Sequence, residues 1–132
     1  MVESIRILPD LQFSILCDDV RREHNGKLIL LGLFETIGAS RFPVQHPTLF
    51  VVNRWCNGVG EYRQRTVVRN PDNSILAEDQ VTVVKLEDLK AKHTVIARFN
   101  NLRFSVPGEY GVEICLDDEI KIRYPMVLTL SR

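Results

Sequence analysis

The chain has 132 residues, 45% of them hydrophobic and 26% charged, the composition of one globular domain rather than a disordered segment. Lys plus Arg and Asp plus Glu balance at 17 each, so no net charge draws the protein toward phosphate backbones or anionic lipid, and neither nucleic acid nor membrane is expected as a partner. Cys17, Cys56 and Cys115 are odd in number, far apart and outside any Cys-x-x-Cys pair, which excludes a disulfide framework and fits a reducing compartment.

The stretch Met1 to Pro9 carries Glu3 and Arg6 and has no basic start leading into an apolar core, so no signal peptide is expected. No apolar run approaches the length of a membrane helix. These readings place the protein in the cytoplasm.

Leu11 to Cys17 (LQFSILC) reads as a first strand. Lys27 to Phe34 (KLILLGLF) is almost continuously apolar but short for a helix, and is expected to be a central strand buried on both faces. Asn25-Gly26 between them predicts a hairpin with a type I′ turn. The rival reading is one helical turn over Asp19 to His24, capped by Asp18 and closed by Gly26. Thr48 to Cys56 follows a loop holding Pro43 and Pro47, and Asn57 to Gly60 turns the chain. In Glu61 to Arg69 the charged Glu61, Arg63, Arg65 and Arg69 alternate with Tyr62, Thr66 and Val68. Asn70 to Ser74 is a turn, and Ile75 to Leu86 returns as one strand, interrupted near Glu78-Asp79.

Glu87 to Lys92 is a charged connection. In His93 to Phe104 the alternation slips, since Val95, Ala97 and Phe99 share one parity and Leu102 and Phe104 the other; a bulge or kink is predicted at Asn100-Asn101. Val106 to Glu109 has the residues of a type II turn. Beyond it Tyr110, Val112, Ile114 and Leu116 are expected to be buried, with Glu109, Glu113 and Cys115 facing outward or toward a rim. Asp117-Asp118 turns the chain, and Glu119 to Leu130 closes the fold, with Pro125 marking an edge or a sheet switch. About eight short strands and no long helix make an all-β, two-sheet antiparallel β-sandwich spanning residues 1–132.

The segment Leu102 to Glu119 (LRFSVPGEYGVEICLDDE), with its Pro-Gly-x-Tyr turn before a late core strand and an acidic hairpin, resembles bacterial immunoglobulin-like sandwiches. The longer arrangement runs through Cys17-Asp18-Asp19-Val20-Arg21, Gly26-Lys27-Leu28, Phe42-Pro43 and Pro107-Gly108-Glu109-Tyr110. It is similar to an uncharacterised bacterial family known as a domain of unknown function. The resemblance, over about residues 11 to 130, implies an immunoglobulin-like fold and brings no activity, cofactor or catalytic residue. Antibody-type domains fit less well, because the Cys-Trp-Cys spacing is missing.

No phosphate loop, nucleophile elbow, His-Glu-x-x-His or EF-hand pattern is present, and no catalytic residue or cofactor is expected. His24, His46 and His93 fall in or beside loops, where solvated histidines are the simplest reading. The cysteines read as small buried hydrophobes, and Trp55 and Tyr62 as core anchors flanking a turn. Arg63, Arg65 and Arg69 are either a partner-binding stripe or a solvated face with cross-strand ion pairs.

If successive connections alternate between the ends of a sandwich, Asp18, Asp19, Glu87, Asp88, Asp117 and Asp118 share one end, with Pro71-Asp72 and Pro107-Gly108 at the other. Such carboxylates suit calcium, although Arg21, Arg22, Lys90 and Lys92 lie in the same loops and are expected to compensate them. The function read from the sequence is a non-catalytic binding or assembly module acting through a sheet edge or loop end. Its partner is a protein or a second copy in a homodimer. The alternative is a small metal-dependent enzyme, or a calcium-binding C2-like sandwich, using the acidic end.

Overall fold

The computed structural model describes residues 5–131; Glu3, used above against a signal peptide, lies outside them. The chain is all-β, and no helix among the described residues is long and apolar enough to cross a membrane. Its strands are β1 (Asp10–Arg22), β2 (Leu28–Leu33), β3 (Thr36–Ala39), β4 (Val44–Cys56), β5 (Gly60–Arg69), β6 (Ile75–Glu78), β7 (Thr82–Leu86), β8 (His93–Phe104), β9 (Gly108–Leu116) and β10 (Glu119–Leu130). A small sheet has the order β2-β1-β4-β8, and a large sheet the order β3-β10-β9-β5-β6 with β7 also on β5. The two sheets pack into a sandwich.

Among the described residues the strand number is therefore ten and not eight, for two reasons. Thr36–Ala39 is too short to show an alternating pattern, yet it pairs with β10, and in parallel, so the sandwich is not wholly antiparallel. The crossing from Ile75 to Leu86 is broken between β6 and β7, where the expected interruption falls, and the Asp79 N–H donates to the Thr66 carbonyl at 2.9 Å. Both pieces run along β5.

The first hairpin forms, but with different turn chemistry. Gly26 N–H donates to the Glu23 carbonyl and Glu23 N–H to the Lys27 carbonyl, both at 2.9 Å. Gly26 alone takes a positive φ, +87°, which is a three-residue loop with a glycine bulge rather than a type I′ turn. The type I′ geometry occurs instead at Asp117 (φ +50°) and Asp118 (φ +66°) between β9 and β10. The phase slip in β8 is a kink without an inserted residue: Asn101 takes φ +56°, while His46–Leu102 and Thr48–Asn100 pair on either side in one register. Both strands turn over together opposite Pro47, which has no N–H to lose there.

The interior is built from inward-facing residues of both sheets, with Trp55, Tyr62, Tyr110, Phe104, Met126 and Leu128 almost wholly buried. Trp55 and Tyr62 are thus core anchors, and Phe104 meets Tyr110 edge-on at 4.9 Å between centroids. Three buried polar side chains, Asn53, Gln64 and Thr66, lie between the sheets. Asn53 Nδ2 donates to Gln64 Oε1 at 3.2 Å and Thr66 Oγ1 at 3.3 Å, and Trp55 Nε1 to Gln64 Oε1 at 3.4 Å.

Tyr110, Val112, Ile114 and Leu116 face this core, in the register predicted. Glu113 and Cys115 point to the outer face as expected, yet they are only 2% and 5% exposed. Strand β9 lies between β10 and β5, and arginines from both neighbours close over it. Arg69 Nε and Arg123 Nη1 donate to the same Glu113 oxygen, at 2.8 and 2.9 Å. Gly111 leaves room for this, since a Cβ there would meet the Arg123 guanidinium at 2.7 Å.

Candidate functional site

The acidic end forms only in part. Asp18 and Asp19 lie within β1 and not in a loop. Glu87-Asp88 and Asp117-Asp118 do share an end, because Gly60 pairs with Leu86 and Gln64 with Leu116. Pro71 and Gly108 share the other end, where they nearly touch. Among the described residues, no three His, Cys, Asp or Glu side chains converge as a metal would require.

Three of the six acids instead have a local partner. Asp19 accepts from Arg21 at 3.0 Å, one of the expected compensations. Asp88 accepts the Lys90 N–H at 2.8 Å as a turn former. Asp117 accepts the Arg63 N–H at 2.9 Å and pairs with Arg6, a residue the loop argument did not include.

The Arg63 N–H, and after it the Arg6 guanidinium, hold the Asp117 carboxyl below the usual carboxylate range. A depressed folded value contributes stability that is present above the unfolded pKa and disappears as pH falls through the folded one. Asp117→Asn is therefore expected to lower the urea midpoint at pH 7, and the gap from wild type should be smaller at an acid pH below the folded pKa. An equal gap at both pH values would contradict this origin.

Arg63, Arg65 and Arg69 lie along the outer face of β5 but do not act as one stripe. Arg63 is exposed, Arg65 lies 3.6 Å from Glu78, and Arg69 is engaged by Glu113. These are cross-strand ion pairs, over a face more buried than a solvated one. The cysteines are free and buried. Only His24 is a solvated turn histidine. His46 belongs to β4, with its ring 6.3 Å from Phe34, and His93 Nδ1 opens β8 by accepting the Lys85 N–H at 3.1 Å.

The most distinctive surface lies on the side where the chain crosses from β2 to β3. Lys27 to Phe34 was expected at a sheet centre, but β2 is an edge strand, paired with β1 alone. Its hairpin does not project straight. Leu28 and Leu30 share a depression of about 390 Å³ with Phe13 and Arg54, although they pair with Arg22 and Val20. In an extended hairpin Val20 would stand about 23 Å beyond Phe13 at the usual rise per residue. The arm therefore bends back over the outer face of the small sheet, where Val52 is wholly buried. Gly32, with φ +69° and a side-chain position blocked by Asp18, is where it bends.

This explains the unbroken apolar run: Leu28 and Leu30 turn toward the sheet, and the odd positions are left outside. Ile29, Leu31 and Leu33 are 37%, 38% and 62% exposed. Beside them a cleft of about 670 Å³ opens between the sheets, lined by Ile15, Leu33, Phe34, Glu35, Tyr124 and others. In it the Ser14 and Tyr124 hydroxyls share a hydrogen bond of 2.7 Å. Burial pushes the Tyr124 phenol up, against a smaller lowering by Ser14.

Other edges carry the devices that discourage strand addition. Strand β3 is four residues long, β6 is equally short and bulged against β5, β8 carries Arg98 and Arg103, and the stretch of β10 that β3 leaves uncovered has Pro125. Strand β2 has no charge and no proline over its six residues. Sequence reasoning missed it as a site because an apolar run reads as buried. The signal that could have marked it is the glycine within the run.

A protein-family model described as a family of unknown function (DUF6941) matches residues 12–129, from within β1 to within β10. No curated protein matches the chain.

Proposed function

Since the chain belongs to that family of unknown function, we propose a role from its geometry: it is a non-catalytic binding or assembly module whose protein partner adds a strand to the β2 edge. The observation that carries this is the uncharged edge strand with Ile29, Leu31 and Leu33 turned to solvent. Strand addition supplies affinity through main-chain hydrogen bonds and specificity through side-chain pockets. The neighbouring cleft is of a size to receive one anchoring side chain, and the Ser14–Tyr124 hydroxyl pair gives it a polar point of orientation. Three buried free thiols support a reducing compartment such as the bacterial cytoplasm, and the immunoglobulin-like resemblance accords with a scaffold that presents edges and loops.

The test is capture from native cell extract with wild-type and Leu31→Lys baits. A lysine on the edge opposes strand addition and, at an exposed position, should shift stability by less than about 0.5 kcal/mol. Proteins retained by wild type should be lost by the variant with its melting temperature unchanged. Identical capture by both would overturn the reading.

A further inference from the structure

We propose that the strand added to β2 is β2 of a second copy of this chain, antiparallel about a two-fold axis at Leu31; this rests on β2 being the binding edge. Along the edge, Lys27, Ile29, Leu31, Leu33 and Glu35 are exposed, whereas Leu28, Leu30 and Phe34 are half-buried. The exposed series reads positive, apolar, apolar, apolar, negative, and is therefore complementary to its own reversal.

With Leu31 opposite its copy, Ile29 faces Leu33 of the second copy and Lys27 faces Glu35, each contact occurring twice by symmetry. Gly32 falls opposite Leu30 of the second copy and, having no side chain, leaves that leucine room. A shift of two residues in either direction sets one charge against an apolar residue. Parallel pairing in register sets Lys27 against Lys27 and Glu35 against Glu35. The charges next in line on β1, Asp19 and Arg21, already neutralise each other at 3.0 Å and do not compete. The pairing joins two copies of the small sheet into one continuous sheet.

Six paired residues a side make a small interface, so a dissociation constant on the order of 10–100 µM is expected by sedimentation. Lys27→Glu and Glu35→Lys should each weaken self-association about tenfold or more, because each sets like charges face to face twice. Mixed in equal amounts, the two variants restore both opposite-charge contacts and should associate as tightly as wild type. Leu31→Cys should form a covalent dimer on mild oxidation. Leu33→Cys should not, since its copies lie about 13 Å apart along the strands.

A mixture no tighter than either variant alone, or equal cross-linking at both positions, would overturn this register. A wild-type protein still monomeric at about 1 mM would overturn self-pairing altogether. If Leu31→Lys nonetheless abolished capture of other proteins, the β2 edge reading would stand without this one.

Discussion

Trp55→Ala is expected to lower the unfolding free energy by about 4 kcal/mol, the upper part of the range for large-to-small core substitutions. Trp55 is wholly buried at the inner face of β4, where sheet packing gives the surroundings little freedom to collapse into the space. The change also removes the indole N–H that donates to Gln64 Oε1 at 3.4 Å, one of the bonds satisfying the polar group between the sheets. That carbonyl keeps its bond from Asn53, so the cavity dominates the loss. Equilibrium urea unfolding should show a large fall in midpoint with an unchanged slope. A loss below about 1 kcal/mol would mean that the two sheets close readily over the gap.

Glu113→Ala is expected to cost about 3 kcal/mol, because it leaves two guanidinium groups without their shared carboxylate. The Glu113 side chain is 3% exposed, but those of Arg69 and Arg123 are 25% and 45% exposed. Water can therefore reach both cations in the variant, which holds the loss at the low end for a broken buried pair. Glu113→Gln keeps an acceptor for both arginines and should lose less. If Glu113→Ala unfolded at the wild-type midpoint, the carboxylate would be dispensable to the large sheet, and packing alone would fix β9.

Glu113 also shows where sequence reading stops. Its parity in β9 was legible, because Val112 and Ile114 on either side are plainly apolar, and it does point outward. Its burial was not, since that depends on arginines from β5 and β10, strands far apart in the chain. The same holds for Asp18 and Asp19. Their acidic, turn-like composition suggested a loop, while pairing of Asp19 with Leu31 extends β1 past them.

The run from Lys27 to Phe34 is the more consequential case. An unbroken apolar pattern cannot distinguish a strand covered by neighbours from one that folds over its own sheet and leaves its far face bare. Gly32 made the second arrangement possible, and only the three-dimensional path of the hairpin reveals it. Where pattern and phase were local, as in the kink at Asn100-Asn101 or the late turn at Asp117-Asp118, the sequence sufficed. The acidic end rested on a count of strand crossings, and Asp18 and Asp19 left it because β1 runs on through them.

The account stands or falls on the outer edge of β2, and amide hydrogen exchange reads that edge directly. Wild-type protein compared at low and high concentration, and with any captured partner, should gain protection at the amides of residues 28 to 33. The Leu31→Lys variant should gain none under the same conditions, while the core amides of β5 and β9 stay alike in both proteins. Protection appearing elsewhere, such as over the arginines of β5 or the loop at Glu87-Asp88, with residues 28 to 33 unchanged, would contradict it.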